Sequence, residues 1–257
     1  MAGPPLFFIH GMWSTPATFV RLRARLEGLG YRTHAPALPY HDRDASLPPP
    51  PELGVLTVED YARFLVAEIG RLGEPPVIIG HSMGGMLAQI VAARVAHAGL
   101  VLLSTAATAT TPAVGIGPLR TVGKVLLDWG WWREPTLIEP EPALWGIYNG
   151  VPDAVARAEV AALVWDSGRV MAEMLLPNLS KTGATKVDYA RLDKPALVIV
   201  GCEDRITLPQ ISRSTARKLR GQVDYHEIPG ASHWLFWGET ETRVGDWLAG
   251  WLGQFTP

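Results

Sequence analysis

Val77-Ile78-Ile79-Gly80-His81-Ser82-Met83-Gly84-Gly85 decides how this chain is read. Three β-branched apolar residues form a short buried strand, and an apolar helix pattern starts directly after Ser82. Between them, G-x-S-x-G places Ser82 on a sharp strand-to-helix turn. Such a turn forces its middle residue into strained backbone, and glycines at 80 and 84 let neighbouring chain pass without side-chain collision. The hydroxyl is expected to stand at the carboxyl edge of a sheet and at a helix N-terminus, where developing negative charge is favoured. The pattern alone also arises by chance. The strand before it, the helix after it and the further Gly85 set this instance apart.

Outward from this turn, short apolar runs alternate with helix-like segments. Strands are expected over Leu6–Ile9, 31–38, 76–79, 100–103, 196–200 and Val223–Ile228. Helices are expected over 18–29, capped by Ser14 or Thr15, over 58–72, capped near Thr57, and over 83–96, 209–220 and 239–252. The proline run at 48–51 reads as a stiff extended loop. Strand–helix alternation of this kind predicts an α/β fold: a mostly parallel central sheet flanked by helices. Between about 107 and 189 the strand rhythm disappears, and the segment is helical and aromatic. It holds Trp129, Trp131, Trp132, Trp145 and Trp165, five of the ten tryptophans, and reads as a helical insertion in a core made of 1–106 and 190–257.

Composition narrows the classes. The 257 residues are 47% hydrophobic, enough for a large core, and 23 basic against 25 acidic residues leave a net charge of -2. No basic footprint for nucleic acid or an anionic membrane is present. The most apolar long stretch, 84–107, is broken by Gln89, Arg94 and His97 and is no transmembrane span. Cys202 is the single cysteine, so no intramolecular disulfide is possible, and no zinc spacing occurs. Leu6–Ile9 is too short for a signal peptide, and a cytoplasmic protein is expected. Oligomeric state is not fixed by the sequence.

Four pieces in register carry a resemblance: His10-Gly11-Met12-Trp13 after the first strand, Gly80 to Gly85, Gly201-Cys202-Glu203-Asp204 after a late strand, and Gly230-Ala231-Ser232-His233 after the last. With these, the chain resembles the α/β-hydrolase superfamily, in its branch of lidded esterases, lipases and C–C hydrolases, over nearly its whole length. The resemblance implies the chain order nucleophile, acid, histidine, here Ser82, Asp204, His233. The family's two antiparallel strands before the first strand are not recognisable, so a shorter sheet is expected. It also implies that 107–189 is a helical lid.

Each assignment has its chemistry. A serine hydroxyl is a poor nucleophile near neutral pH and needs a base within reach. Of seven histidines, His233 alone follows the last strand and precedes the final helix. His10 and His81 flank motifs and read as structural; His34, His41, His97 and His226 read as surface or structural. Asp204 follows the apolar strand 197–200 and the turn glycine Gly201, where it can hold His233 in the right tautomer; Glu203 is its competitor, set aside on the family motif. The loop 104–107 offers no carboxylate, and Asp128 and Asp166 read as exposed or capping residues. Oxyanion donors implied by the resemblance are the backbone N–H groups of Met12 and Met83. Trp13 and Trp234 adjoin the motifs, and with Trp145 and Met174 they are the candidate substrate contacts in an apolar acyl pocket; Met171, Leu175 and Leu176 lie nearby.

The expected reaction is hydrolysis of a small-molecule carboxylic ester through an acyl-enzyme, with no metal or organic cofactor. The same triad serves C–C hydrolases, cofactor-free perhydrolases and acyltransferases, and a small-molecule receptor could use the scaffold with vestigial turnover.

Overall fold

The computed structural model describes residues 3–44, 46–113, 115–177 and 183–255. Six parallel strands form the centre: β1 Leu6–Ile9, β2 Thr33–His34, β3 Val77–His81, β4 Gly99–Leu103, β7 Ala196–Gly201 and β8 Val223–Ile228. Their order across the sheet is β2-β1-β3-β4-β7-β8. In register, Phe7 faces Ile78, Val101 faces Leu197, and Val198 faces Tyr225.

The apolar runs are continuous because both sheet faces are covered. Alternation sorts them. Leu6, Phe8, Val77, Ile79, Val101 and Leu197 pack on one side with Leu22 and Leu26 of α1 (Val20–Gly28) and with Val244, Leu248 and Leu252 of α10 (Gly238–Leu252). Phe7, Ile9, Ile78, Leu100 and Val198 pack on the other with Tyr61, Leu65 and Ile69 of α3 (Val58–Gly70) and Leu87 and Val91 of α4 (Met83–Ala92). The helix α9 (Pro209–Lys218) connects β7 to β8. Thr57 caps α3 through a reciprocal exchange with Asp60, which satisfies two otherwise orphaned donors.

Three expectations need correction. The strand expected over 31–38 pairs only at Thr33 and His34, because Pro36 lacks an N–H and the Leu38 N–H is diverted to His10 Nε2 at 3.1 Å. The proline run ends as a short helix, α2 (Pro51–Gly54), with Pro51 at the first position where its missing N–H costs nothing. The segment between β4 and β7 is not strand-free. It carries α5 (Ile116–Val122), β5 (Pro135–Thr136), α6 (Pro140–Gly146), α7 (Asp153–Ala161), β6 (Asp166–Ser167) and α8 (Gly168–Leu175), and β5 pairs antiparallel with β6. Residues 114 and 178–182 of the expected insertion lie outside the described residues. Where α1 was expected to begin, Thr15 caps a 3-10 turn (Pro16–Phe19) that leads into it.

Candidate active site

The turn between β3 and α4 holds Ser82 at φ 56°, ψ -124°, in the left-handed half of backbone space. Its backbone is tied from both sides: Ser82 N–H donates to Leu103 O at 3.1 Å, and Ala106 N–H donates to Ser82 O at 2.9 Å. The flanking glycines are required by close approach. A Cβ on Gly84 would lie 2.1 Å from Ile9 O, and one on Gly80 would lie 2.2 Å from Gly84 O. Sequence thereby places a strained serine at the head of α4.

Ser82 and His233 line one cavity of about 260 Å³, walled mainly by apolar residues of the β4–β7 segment and of the loops after β1 and β8. His233 is buried, and its Nδ1 donates to Asp204 Oδ2 at 2.8 Å. That leaves Nε2 as the nitrogen available to the cavity. No hydrogen bond joins Ser82 Oγ to His233 among the described residues; such bonds often tighten only when substrate is bound. The Asp204 carboxylate is saturated. Oδ1 accepts the N–H groups of Ile206 at 3.0 Å and Thr207 at 2.8 Å, and Oδ2 faces Thr207 Oγ1 at 2.7 Å as well as His233.

Thr207 escaped the sequence reading. Its hydroxyl also lies 2.8 Å from Ser104 O and 3.0 Å from His233 Nδ1, so it anchors the Asp–His pair to the end of β4. The signal was present in the Asp204-x-x-Thr207 spacing, that of an aspartate turn closing on its own backbone. Thr207→Val keeps the shape and removes the hydroxyl. It is expected to lower kcat about tenfold, the loss of one hydrogen bond to a charged group; steady-state kinetics on the best substrate would show it.

Met12 and Met83 are the residues expected to supply the oxyanion donors. Both line the cavity, and neither backbone N–H has a protein partner among the described residues. For Met83 this follows from its place at the first position of α4, where the N–H has no intrahelical acceptor. The peptide bearing the Met12 N–H is fixed from its far side: His10 Nδ1 donates to Gly11 O at 2.9 Å. With Nε2 accepting from Leu38, His10 is neutral, and burial beside His41 takes its pKa down to about 3. His81 is also buried and neutral. Its Nε2 donates to His233 O at 3.2 Å, and burial next to His233 holds it well below its usual value.

Trp13, Trp234 and Met174 line the cavity, as do Met171 and Leu175. Trp145 does not. Its ring is taken by the guanidinium groups of Arg120, 4.1 Å from the ring centre, and Arg205, 4.8 Å away, a cation–π arrangement outside the cavity. Trp129 and Trp132 meet edge-on, with Trp129 almost fully exposed. Asp128 is exposed as expected. Asp166 is not: it is fully buried and faces the equally buried His41 at 3.0 Å. Among the described residues no group of three or more His, Cys, Asp or Glu has an arrangement able to hold a metal. No helix among them is long and apolar enough to cross a membrane.

A parallel sheet bearing a strained serine at the β3–α4 turn, with a histidine held by a carboxylate at the same edge, defines the class of α/β hydrolases. The chain belongs to the Alpha/beta hydrolase family, which it matches over residues 6–246. It is 33% identical over 117 residues to a pyrethroid hydrolase of Sphingobium wenxiniae, covering 44% of this chain and 38% of that one. It is 35% identical over 108 residues to a protein of Mycobacterium phage D29 named for non-heme haloperoxidase, covering 41% of this chain and 37% of the other. The matches therefore span well under half the length of these curated relatives. A monoacylglycerol lipase of Paleococcus ferrophilus superposes with a TM-score of 0.70 at 24% identity, over 99% of this chain and 97% of the other.

Proposed function

We propose that the chain is a serine hydrolase that cleaves carboxylic esters with an apolar acyl group. The observation that carries the reading is the meeting, in one apolar cavity, of Ser82, two unpartnered N–H groups and a histidine bound to a carboxylate. Ser82 Oγ attacks the ester carbonyl and its proton passes to His233 Nε2. The carbonyl oxygen becomes an alkoxide that accepts from the Met12 and Met83 N–H groups. Collapse expels the alcohol, which takes the proton back from His233, and leaves an acyl-Ser82. Water, deprotonated by His233, then releases the acid. Trp13, Trp234 and Met174 shape the acyl subsite, and residues 107–189 act as a lid over it. The two relatives named as a pyrethroid hydrolase and a monoacylglycerol lipase support hydrolysis. Cytoplasmic residence belongs to the same proposal; it is compatible with the single Cys202, which excludes an intramolecular disulfide.

The test is a series of p-nitrophenyl esters of increasing acyl length. Steady multiple turnover is expected, with kcat/KM rising until the chain fills the cavity and falling beyond it. A folded protein that releases no p-nitrophenol at any length would remove the ester reading. The phage relative's name favours one second reading, perhydrolysis, in which hydrogen peroxide replaces water in attacking the acyl-enzyme. Peroxyacid formation from acetate and peroxide at a rate exceeding ester hydrolysis would put it first.

A further inference from the structure

Asp166 stands 153 residues from Trp13 in sequence and in contact with it in space. Its carboxylate is completely buried and accepts three hydrogen bonds, with His41 as a fourth, ion-pair contact. Oδ1 accepts from Tyr61 Oη at 2.8 Å and from Ser167 N–H at 2.6 Å. Oδ2 accepts the backbone N–H of Trp13 at 3.1 Å and faces His41 Nε2 at 3.0 Å. His41 Nδ1 donates to Pro39 O at 3.0 Å, and Nε2 meets the carboxylate at ion-pair distance without hydrogen-bond alignment. The two groups form a buried ion pair between the loop after β2 and the segment that joins β4 to β7. Burial works against His41 carrying charge, yet Asp166 together with nearby backbone carbonyls raises its pKa; reciprocally, burial disfavours the Asp166 anion, and His41 together with the hydrogen bonds from Tyr61 and Ser167 lowers its pKa.

This pair sits behind the oxyanion loop. Trp13 adopts φ 60°, a strained conformation for a bulky side chain, and both its backbone groups are taken by one strip of chain: the N–H by Asp166, the carbonyl by Val164 N–H at 2.8 Å. Two consecutive peptide planes are thereby fixed. His10 holds the Gly11–Met12 plane by its carbonyl, and Asp166 holds the Met12–Trp13 plane by its N–H. The Met12 N–H belongs to the first of these planes, and with that plane and the one after it both held, its direction at the cavity wall is fixed.

We propose that Asp166, ion-paired with His41, is a positioning residue that sets the direction of the Met12 N–H by anchoring the peptide plane after it. The assignment rests on the serine-hydrolase reading, in which that N–H receives the alkoxide. A donor aimed at a developing charge contributes in the transition state and little in the ground state, so its loss lowers kcat and spares KM.

The test compares wild type and Asp166→Asn on the best p-nitrophenyl ester, with active sites counted by titration, and measures binding of a boronic acid bearing the same acyl group, which mimics the tetrahedral intermediate at Ser82. Asparagine keeps an acceptor and the shape but loses the charge. The expected result is a fall in kcat of roughly thirtyfold, with KM within about twofold and boronate affinity reduced in the same proportion as kcat/KM. A lower melting temperature with unchanged kcat per active site, or a loss confined to KM, would make Asp166 merely structural and overturn the proposal. Tyr61→Phe is the gentler variant if Asp166→Asn does not fold. It removes one bond to Oδ1, does not touch Trp13, and is expected to lower kcat and boronate affinity together by about threefold; no change in either would overturn the proposal equally. Wild type that neither turns over esters nor binds the boronate overturns the hydrolase reading and this one together. Normal wild-type turnover with indifferent variants overturns this one alone.

Discussion

Ser82→Ala is expected to lower kcat on the order of a million-fold and Asp204→Asn about ten-thousand-fold, with the double variant no slower than Ser82→Ala alone. The serine effect is loss of the nucleophile. The aspartate effect is loss of a tautomer. An asparagine at 204 would still accept N–H groups from Ile206 and Thr207 through its carbonyl oxygen, which turns its NH2 toward His233 Nδ1. His233 would then carry its proton on Nε2, the nitrogen that has to take the proton of Ser82. No neighbour can substitute. Glu203 is exposed, its backbone N–H tied to Ala231 O, and the loop after β4 contains no acid. Steady-state kinetics with folding checked by circular dichroism would decide it. Wild-type activity in a folded Asp204→Asn protein would remove Asp204 from the mechanism. Non-additivity is the sharper readout, because residues that act as one catalytic unit fail to add.

What the sequence disclosed tracks how local the causes are. Leu6–Ile9, Val77–His81 and Ala196–Gly201 were legible because a strand buried on both faces writes itself as an unbroken apolar run. The Ser82 turn was legible because its glycines are demanded by backbone within a few residues and by Ile9 O across one strand. The edge strand β2 was overestimated, since nothing in the run 31–38 reveals that the Leu38 N–H goes to a histidine 28 residues earlier. Trp145 was placed in the pocket by composition alone. Its actual partners, Arg120 and Arg205, lie 25 residues before it and 60 after it, and each is unremarkable in sequence.

Asp166 shows the limit most plainly. An aspartate in a polar, aromatic stretch reads as solvent-facing, because burying a carboxylate without partners is prohibitive. Its four partners come from the loop after β1, the loop after β2, helix α3 and its own neighbour, and no window of sequence contains them together. Buried charge is decided by tertiary structure, and a sequence pattern records only one side of each pair.

Buried histidines set the acid limit of the fold. Lowering the pH from 7 to 5 is expected to remove roughly 2 kcal/mol of stability through His10, with a further loss of the same sign through His81. Both are fully buried and neutral, His10 with a pKa of about 3 against a usual 6.5, and His81 well below 6.5. Below pH 6.5 the unfolded chain binds a proton at each and the folded chain does not. Stability is therefore fully present above 6.5 and is lost as pH falls toward the folded values, at about 1.4 kcal/mol per histidine per pH unit. His41 does not offset this. Its pKa is raised, so its contribution is fully present below 6.5 and is lost only as pH rises through the folded value. Asp166, with a lowered pKa, gives way only at still lower pH. Against a total of about 5–15 kcal/mol, the histidine term is large enough to shift a urea midpoint visibly. Urea unfolding at pH 7.5, 6 and 5 would measure it, alongside His81→Phe, which keeps an aromatic ring against His233, Trp234 and Phe236. The variant should lose about one proton from the pH slope, whatever it does to stability at pH 7.5. A flat profile in wild type, or an unchanged slope in His81→Phe, would mean that these imidazoles find room for a proton in the folded state. The cage around the histidine loop would then have to be looser than the packing of His81 between His233 and Phe236 implies.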